Sequence, residues 1–550
     1  MPIEFLSKYI DVEFYESIDY IFAEALLRRQ SPTKSSILFL MTLFALARKG
    51  YLCMKITDKA CLPALPAVTS ELYAVLQKGA EEISSSLRIN YDIKRENLNK
   101  PIIFYEEHYY LQQNFIFEDL LVRQIHALES HPSSPPHAKE TIEDCLQASS
   151  LNSEQKKAVR QVFTTTISII SGGPGRGKTY TASTIVKVFL SLHAHKKVII
   201  TAPTGKATLR LQESINIDDP RITYSTLHSL LEIQPGKNVL EKRVLLVENL
   251  IIVDEASMID IRLFAKLMQS IQVGTTVVFM GDENQLPPVE IGTVFSELCN
   301  YAKLSGRIGY TLLQQCMRTD LAHILGLSDK IHKGESISGE CISWDGNHIL
   351  DLLPNAFWKY ACSILFNKDP LDALGKLSEM QILSCLRQGV RGAISINKQI
   401  IHKLFLHKPK NTSLCIPILI TKTSEHANLI NGEMGILLQH GTEPSAKDVA
   451  LFTKADKTVK KISRVMLPPY EEAFVMSVHK SQGSEFNSVI VLIGEGSEKF
   501  GREIIYTAIT RAKKEVTIIA NINSLERCLQ KTSKKYCRIT DRLMKNKNII

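Results

Sequence analysis

The stretch Ser171–Ser183, "SGGPGRGKTYTAS", decides the fold. Gly172, Gly177, Lys178 and Thr179 fit the spacing G-x-x-x-x-G-K-[ST], in which glycines let backbone N–H groups close around phosphate oxygens where a side chain would obstruct them. Upstream, "TTISIISG" reads as a short β-branched buried strand; downstream, "KTYTASTIVKVFLSLH" reads as a helix whose N-terminus faces the anion. Strand, loop and helix in that order are the context a phosphate-binding loop requires. Gly172, Gly173, Pro174, Gly175, Arg176 and Gly177 are therefore expected to wrap a nucleotide's phosphates. Lys178 would reach the β- and γ-phosphates, and Thr179 would hold a magnesium ion.

A nucleotide loop needs a partner acid, and "LIIVDEAS" places Asp254 and Glu255 at the end of an apolar strand. Asp254 is expected to hold magnesium through water, and Glu255 to polarise the attacking water. The next strand ends in "FMGDENQLPPVEIG", where Gln285 is placed to sense the γ-phosphate. In "LNSEQKKAV", before the loop strand, the Gln155 amide is a candidate reader of adenine, since it can donate and accept at once. Arg318 in "LLQQCMRT" and Arg511 in "IIYTAITRAKK" are candidates to stabilise transition-state charge, the second from a different α/β unit. An arginine brought across a cleft makes hydrolysis depend on domain closure, which suits a mechanical cycle.

Outside this centre the chain is less explicit. Its 550 residues exceed one core and imply roughly three or four domains. The 66 Lys+Arg against 57 Asp+Glu give +9, a mild basic excess that permits nucleic acid without demanding it. Eleven cysteines without a C-x-x-C pair read as reduced, buried and structural, not metal-binding, which points to the cytoplasm. The start "MPIEFLSKYIDVEF" lacks the basic and apolar regions of a signal peptide. The apolar run Ile37–Ala47 is too short to span a bilayer and reads as a buried helix.

The spacing divides the chain into an N-terminal domain at 1–128, expected to be helical and to dock a partner, and a linker at 129–150 around "ESHPSSPPHAKE". Near-continuous Val/Ile runs alternating with helix-length segments follow. They predict two α/β domains with parallel sheets covered on both faces, at 151–335 and 336–550. Short strands and turns at about 415–468 read as a small β module inserted in the second. The last 20 residues hold seven Lys/Arg against one acid and read as a solvated tail.

Taken in order, "GGPGRGKT", "TAPTGKA", "STLHSLL", "VDEASMID", "GDENQLPPVEIG", "NGEMGI", "LPPYEEAFVMSVHKSQGSEF" and "REIIYTAITRAK" resemble the blocks of superfamily-1 helicases, in detail those of the RecD family, the α subunit of exodeoxyribonuclease V. The resemblance covers about 151–521 and implies two RecA-like domains with ATP and Mg2+ between them. It implies an enzyme that translocates 5′ to 3′ on single-stranded DNA and separates strands, with RecB-like and RecC-like subunits as partners, acting on single strands and duplex ends in double-strand-break repair and recombination. By position, Pro203, Thr204, Gly205, His228, and His479, Lys480, Ser481 and Gln482 would line or couple to the DNA track. Glu485 would approach the nucleotide ribose, and the β module would be SH3-like. An ATP-switched regulatory subunit and an RNA helicase are the alternative readings. No carboxylate cluster with lysine suggests a nuclease site.

Overall fold

The computed structural model describes residues 3–30, 32–57, 59–91, 98–130, 139–234, 236, 239–315, 322–406, 413–424, 426–440, 445–454 and 458–545. The loop strand, Ile167–Ser171, is buried along its whole length, as are Thr276–Gly281, Leu250–Val253 and Val198–Ala202. Their β-branched composition suits a sheet covered on both faces. The sheet runs Gly309–Leu312, Ile167–Ser171, Thr276–Gly281, Leu250–Val253, Val198–Ala202, Ile222–Thr226, all parallel. Successive residues face opposite sides, so Ile169, Ile251, Val277 and Phe279 enter one core while Ile170, Ile252, Val278 and Met280 enter another. This is the first expected RecA-like domain.

The second sheet is also parallel throughout, in the order Cys341–Ser343, Ala512–Ala520, Phe486–Ile493, Met380–Ser384, Val475–Ser477. Between its strands a five-stranded antiparallel sheet is inserted, from Leu414–Ile420 to Tyr470–Glu472, slightly longer than the expected module. The helices Asn355–Leu365 and Pro370–Gly375 precede it, and their apolar residues share its core.

Four expectations are corrected. The N-terminal domain is not purely helical. Beside Ser17–Leu27, Lys34–Arg48 and Glu71–Glu82 it carries a five-stranded sheet whose strands are only two to four residues long, too short to register as alternating patterns. The 129–150 span is not all linker: Lys139–Gln147 is a helix that buries Ile142 and Leu146 against the first α/β core and pairs Glu143 with Arg160 at 2.6 Å. Helix Ala322–Lys333, expected in the first α/β domain, places Ile324, Leu327 and Ile331 in the core of the second.

The fourth correction concerns the basic tail, which over residues 531–545 is packed on the protein, with Arg538 and Arg542 buried while Lys531, Lys534 and Lys545 stay exposed. Residues 531–545 leave the second α/β domain at Thr532 and Ser533, held by Glu503, and cross the first, where Thr540 Oγ1 donates to the Glu297 carbonyl at 3.0 Å. They end in the N-terminal domain. There Arg542 is almost fully buried, pairs with Glu118 at 3.2 Å and with Asp119, and stacks over Tyr105 and Phe115 at 5.0 and 4.8 Å. Arg538 pairs with Glu106, and Tyr536 donates to or accepts from His108 at 2.7 Å. A charge run read without its partners looks solvated; Arg542 instead neutralises buried acids contributed from more than 400 residues upstream, and Arg538 reaches the exposed Glu106 of the same domain.

Removing one partner of a buried pair leaves the other charge uncompensated and costs about 3–5 kcal/mol. Arg542→Ala should therefore speed amide hydrogen exchange across helix Gln112–Glu129, which carries Glu118 and Asp119. The second α/β sheet should exchange as before, and protection of Gln112–Glu129 equal to wild type would refute the clamp.

Candidate nucleotide site between the two domains

In a parallel sheet every strand delivers its C-terminal end to the same edge, and ligands bind in the crevice there. At that edge a cavity of about 790 Å³ is lined by Gln155, the loop from Gly173 to Thr179, Asp254, Glu255 and Gln285 from the first domain, and by Gly483, Glu485, Arg511 and Lys513 from the second. The loop is built by backbone conformation. Gly175 and Gly177 have φ of 72° and 78°, in the left-handed region, and Gly177 caps helix Lys178–Leu192. A Cβ on Gly172 would lie 2.9 Å from the Leu313 carbonyl oxygen, so no side chain fits there. Lys178 Nζ donates to the carbonyls of Gly172 and Gly173 at 2.5 and 3.1 Å, inside the loop it is expected to serve.

Asp254 follows its strand directly, and its Oδ1 accepts from the Glu255 N–H at 2.8 Å. Burial and then the Glu255 carboxylate push Asp254 up to about 6, with Lys178 opposing. Glu255 is a non-glycine residue with φ of 49°, a conformation that costs about 1 kcal/mol or more and is retained where it aims a functional group. An acid held against its own ionisation, with the Thr179 hydroxyl on the same cavity, forms an oxygen donor set of the kind magnesium takes.

The remaining expected residues divide clearly. Gln155 sits in a capping box: its Oε1 accepts from the Asn152 N–H at 3.0 Å, and its buried Nε2 has no partner among the described residues. The oxygen is thus already engaged and the donor is what it offers a base, which narrows the two-way reading expected of it. Gln285 is buried, with Nε2 donating to Asp282 Oδ2 at 3.3 Å and Oε1 unpartnered among the described residues. Arg511 is buried too; Nε donates to the Thr507 carbonyl at 3.1 Å and Nη1 to that of Ser484 at 3.4 Å, while Nη2 has no partner among the described residues. Arg176 donates to the Leu313 carbonyl at 3.2 Å. Arg318 lies outside the described residues. Glu485 lies between Arg210 at 3.5 Å and Lys513 at 3.6 Å.

Arg210, which the sequence reading missed, reaches the cavity from helix Gly205–Ile215 and donates to the Gly483 carbonyl at 2.7 Å. One turn earlier Lys206 donates to Ser484 Oγ at 2.7 Å, and burial followed by Arg210 pulls its ammonium down to about 8. Their i, i+4 spacing after "TAPTG" was the available signal.

None of the residues expected along a DNA track is among those lining that cavity. Pro203 and Thr204 are half-buried, and Thr204 Oγ1 caps the helix by accepting from the Ala207 N–H. A Cβ on Gly205 would come within 2.5 Å of Ile430 in the inserted sheet, so glycine permits that approach. His228 is exposed on the short helix Leu227–Leu230. His479 packs edge-on to Phe500 at 5.2 Å, and burial with nearby Lys499 holds its ring below the ordinary histidine value, favouring the neutral form. Lys480 is paired with Glu471 at 2.6 Å, Ser481 is buried and bonded to the Val478 carbonyl, and Gln482 donates to the Leu286 carbonyl at 3.4 Å.

Known proteins resemble this chain over both α/β domains. A family model described as an AAA domain matches residues 155–290, and one described as a UvrD-like helicase C-terminal domain matches 472–519. The RecBCD enzyme subunit RecD of Buchnera aphidicola subsp. Schizaphis graminum is 27% identical over 500 residues, covering 76% of this chain and 81% of that protein. The subunit of the same name from Haemophilus influenzae is 28% identical over 470 residues, covering 69% and 71%. Among solved structures, the Pif1 helicase of Candida albicans superposes with a TM-score of 0.40 at 17% identity over 71% of this chain and 97% of that one. Two RecA-like domains meeting over one phosphate loop, with these matches to both, define a superfamily-1 helicase. Within that class the chain is similar to RecD and RecD2 proteins, at 26–28% identity over 66–76% of its length.

Lys178→Ala should abolish ATP hydrolysis while the melting temperature holds; a normal turnover number in that variant would exclude the loop as the site. Arg511→Ala should bind nucleotide much as wild type yet lose about 10³-fold or more in turnover. Equilibrium binding beside steady-state kinetics separates the two quantities, and an unchanged turnover would remove the arginine from the reaction.

Proposed function

We propose that this chain is an ATP-dependent 5′–3′ translocase on single-stranded DNA and a DNA helicase, the α subunit of a RecBCD-like exodeoxyribonuclease V acting in double-strand-break repair and recombination. The observation that carries this reading is the shared cavity: the phosphate loop and acids come from one RecA-like domain, and the free Nη2 of Arg511 comes from the other. A site completed only when two domains meet turns hydrolysis into relative motion.

Lys178 and the loop amides bind the phosphates, Glu255 takes the proton of the attacking water, and Gln285 and Arg511 contact the γ-phosphate. Mg2+, held by Thr179 and Asp254, would neutralise the phosphate charge when bound. Gln155 donates to the adenine ring and Glu485 faces the ribose. Arg318 shares the charge-stabilising role. Pro203, Thr204, Gly205 and His228, with the block from His479 to Gln482, bind the strand or transmit its position. Because that block is held within the protein, its part is chiefly transmission. The inserted sheet, as an SH3-like module, borders the same path.

RecB-like and RecC-like subunits are the expected partners, docking on the N-terminal domain, where Ile18, Ile21 and Phe22 of helix Ser17–Leu27 are exposed. Among the described residues no helix is long and apolar enough to cross a membrane, which accords with a place in the cytoplasm.

A single-stranded oligonucleotide should stimulate ATP hydrolysis by the purified chain, and its affinity should fall linearly in log K against log salt, with a slope of about −0.7 per phosphate contacted. A blocked 3′ end should stop unwinding and a blocked 5′ end should prevent loading. No stimulation, with or without candidate partner subunits, would favour an ATP-switched regulatory subunit.

A further inference from the structure

Gln285 from the first domain and Arg511 from the second both line the cavity, and Gln285 Oε1 and Arg511 Nη2 are buried without a partner among the described residues. Neither is held independently of the other. Asp282, buried at 2% exposure where strand Thr276–Gly281 ends, accepts on Oδ2 from Gln285 Nε2 at 3.3 Å and from the Tyr506 hydroxyl of the second domain at 2.9 Å. Its Oδ1 accepts from the Asn284 N–H at 3.1 Å, fixing the carboxylate plane. The neighbour of Tyr506 makes a parallel bond: Thr507 Oγ1 accepts from the Leu286 N–H at 2.9 Å, while the Thr507 carbonyl accepts from Arg511 Nε at 3.1 Å. Tyr506 also closes on the phosphate loop itself, since a Cβ on Gly173 would lie 3.2 Å from its hydroxyl oxygen.

We propose that Asp282 and Tyr506 are positioning residues for ATP hydrolysis: their bond across the cleft, with Thr507 to Leu286 beside it, sets Gln285 and Arg511 in one arrangement and must form before turnover. This rests on the reading of the cavity as an ATP site. The chemistry explains the choice of groups. A phenol donating to a carboxylate makes a strong charge-assisted bond inside the seam, and losing it leaves a buried anion one donor short. Opening the cleft by separating these domains therefore breaks two bonds and the register of both phosphate-facing groups together. A stray seam contact would touch only one of them.

The test is steady-state ATP hydrolysis with saturating single-stranded DNA for wild type, Tyr506→Phe, Asp282→Asn and the double variant, beside binding of a fluorescent ATP analogue. Each single variant should lose about 10- to 100-fold in kcat, the worth of one hydrogen bond to a charged group, with KM and analogue affinity nearly unchanged. The double variant should be no worse than the poorer single. An unchanged kcat in Tyr506→Phe, a loss confined to KM, or single losses that multiply in the double variant would overturn the inference. If Tyr506→Phe fails to fold, judged by its melting curve, Thr507→Val must show the same split between kcat and KM, and a normal kcat there refutes the proposal. A wild-type chain that hydrolyses ATP while the variants match it defeats this inference alone. A wild-type chain that neither binds nor hydrolyses nucleotide, with partners supplied, defeats the reading beneath it.

Discussion

Parallel pairing is the constraint on which the rest of the molecule depends. Because its strands all point one way, the first sheet ends Ser171, Ala202, Val253 and Gly281 along a single edge. The phosphate loop, the helix bearing Lys206 and Arg210, the acidic pair and the loop of Asp282 are consequences of that edge. Antiparallel strands would have divided them between two ends. The acidic strand and the loop strand are not neighbours; Thr276–Gly281 runs between them. That spacing opens the crevice, and the middle strand carries the loop that the second domain grips.

The second sheet repeats the logic with a different emphasis. Its loops supply no phosphate cradle. They supply Ser484, Glu485 and Arg511, each held by hydrogen bonds or ion pairs in the seam. The domain is less a second site than a wall whose position determines whether the first is complete. The inserted sheet meets the first domain through Ile430 against Gly205, and the helix that starts at Gly205 carries Lys206 to Ser484. The contact with Ile430 and the cavity-lining Arg210 are therefore linked through one helix about three turns long.

What could be read from the sequence was what is local. Lys178 and Thr179 follow from a loop whose glycines and flanking periodicity lie within a few residues. The same holds for Asp254 and Glu255 at the end of an apolar run, and for the helix over Ile37–Ala47. Gln285 was legible as a candidate because it follows a strand, and Arg511 because of the block "IIYTAITRAKK" around it, which folds as the end of a helix leading into a strand. Their dependence on Asp282 and Tyr506 was not, since the two positions are 224 residues apart and neither is unusual where it stands. The sheet of the N-terminal domain escaped because strands such as Cys61–Leu62 are too short for a period of two to show. Lys480 and Ser481 look like surface residues in a polar stretch until Glu471 and the Val478 carbonyl are brought to them by folding.

The clamp made by Arg538 and Arg542 also bears on how the molecule is assembled. Glu118, Asp119 and Glu106 belong to a domain made early, and the cation that compensates Glu118 lies 424 residues later. At a synthesis rate of about 5–20 residues per second that is a wait of roughly 20–80 seconds. During that interval Glu118 on helix Gln112–Glu129 has no Arg542 to compensate it, so the helix reaches its final packing only after a segment more than 400 residues downstream has been made.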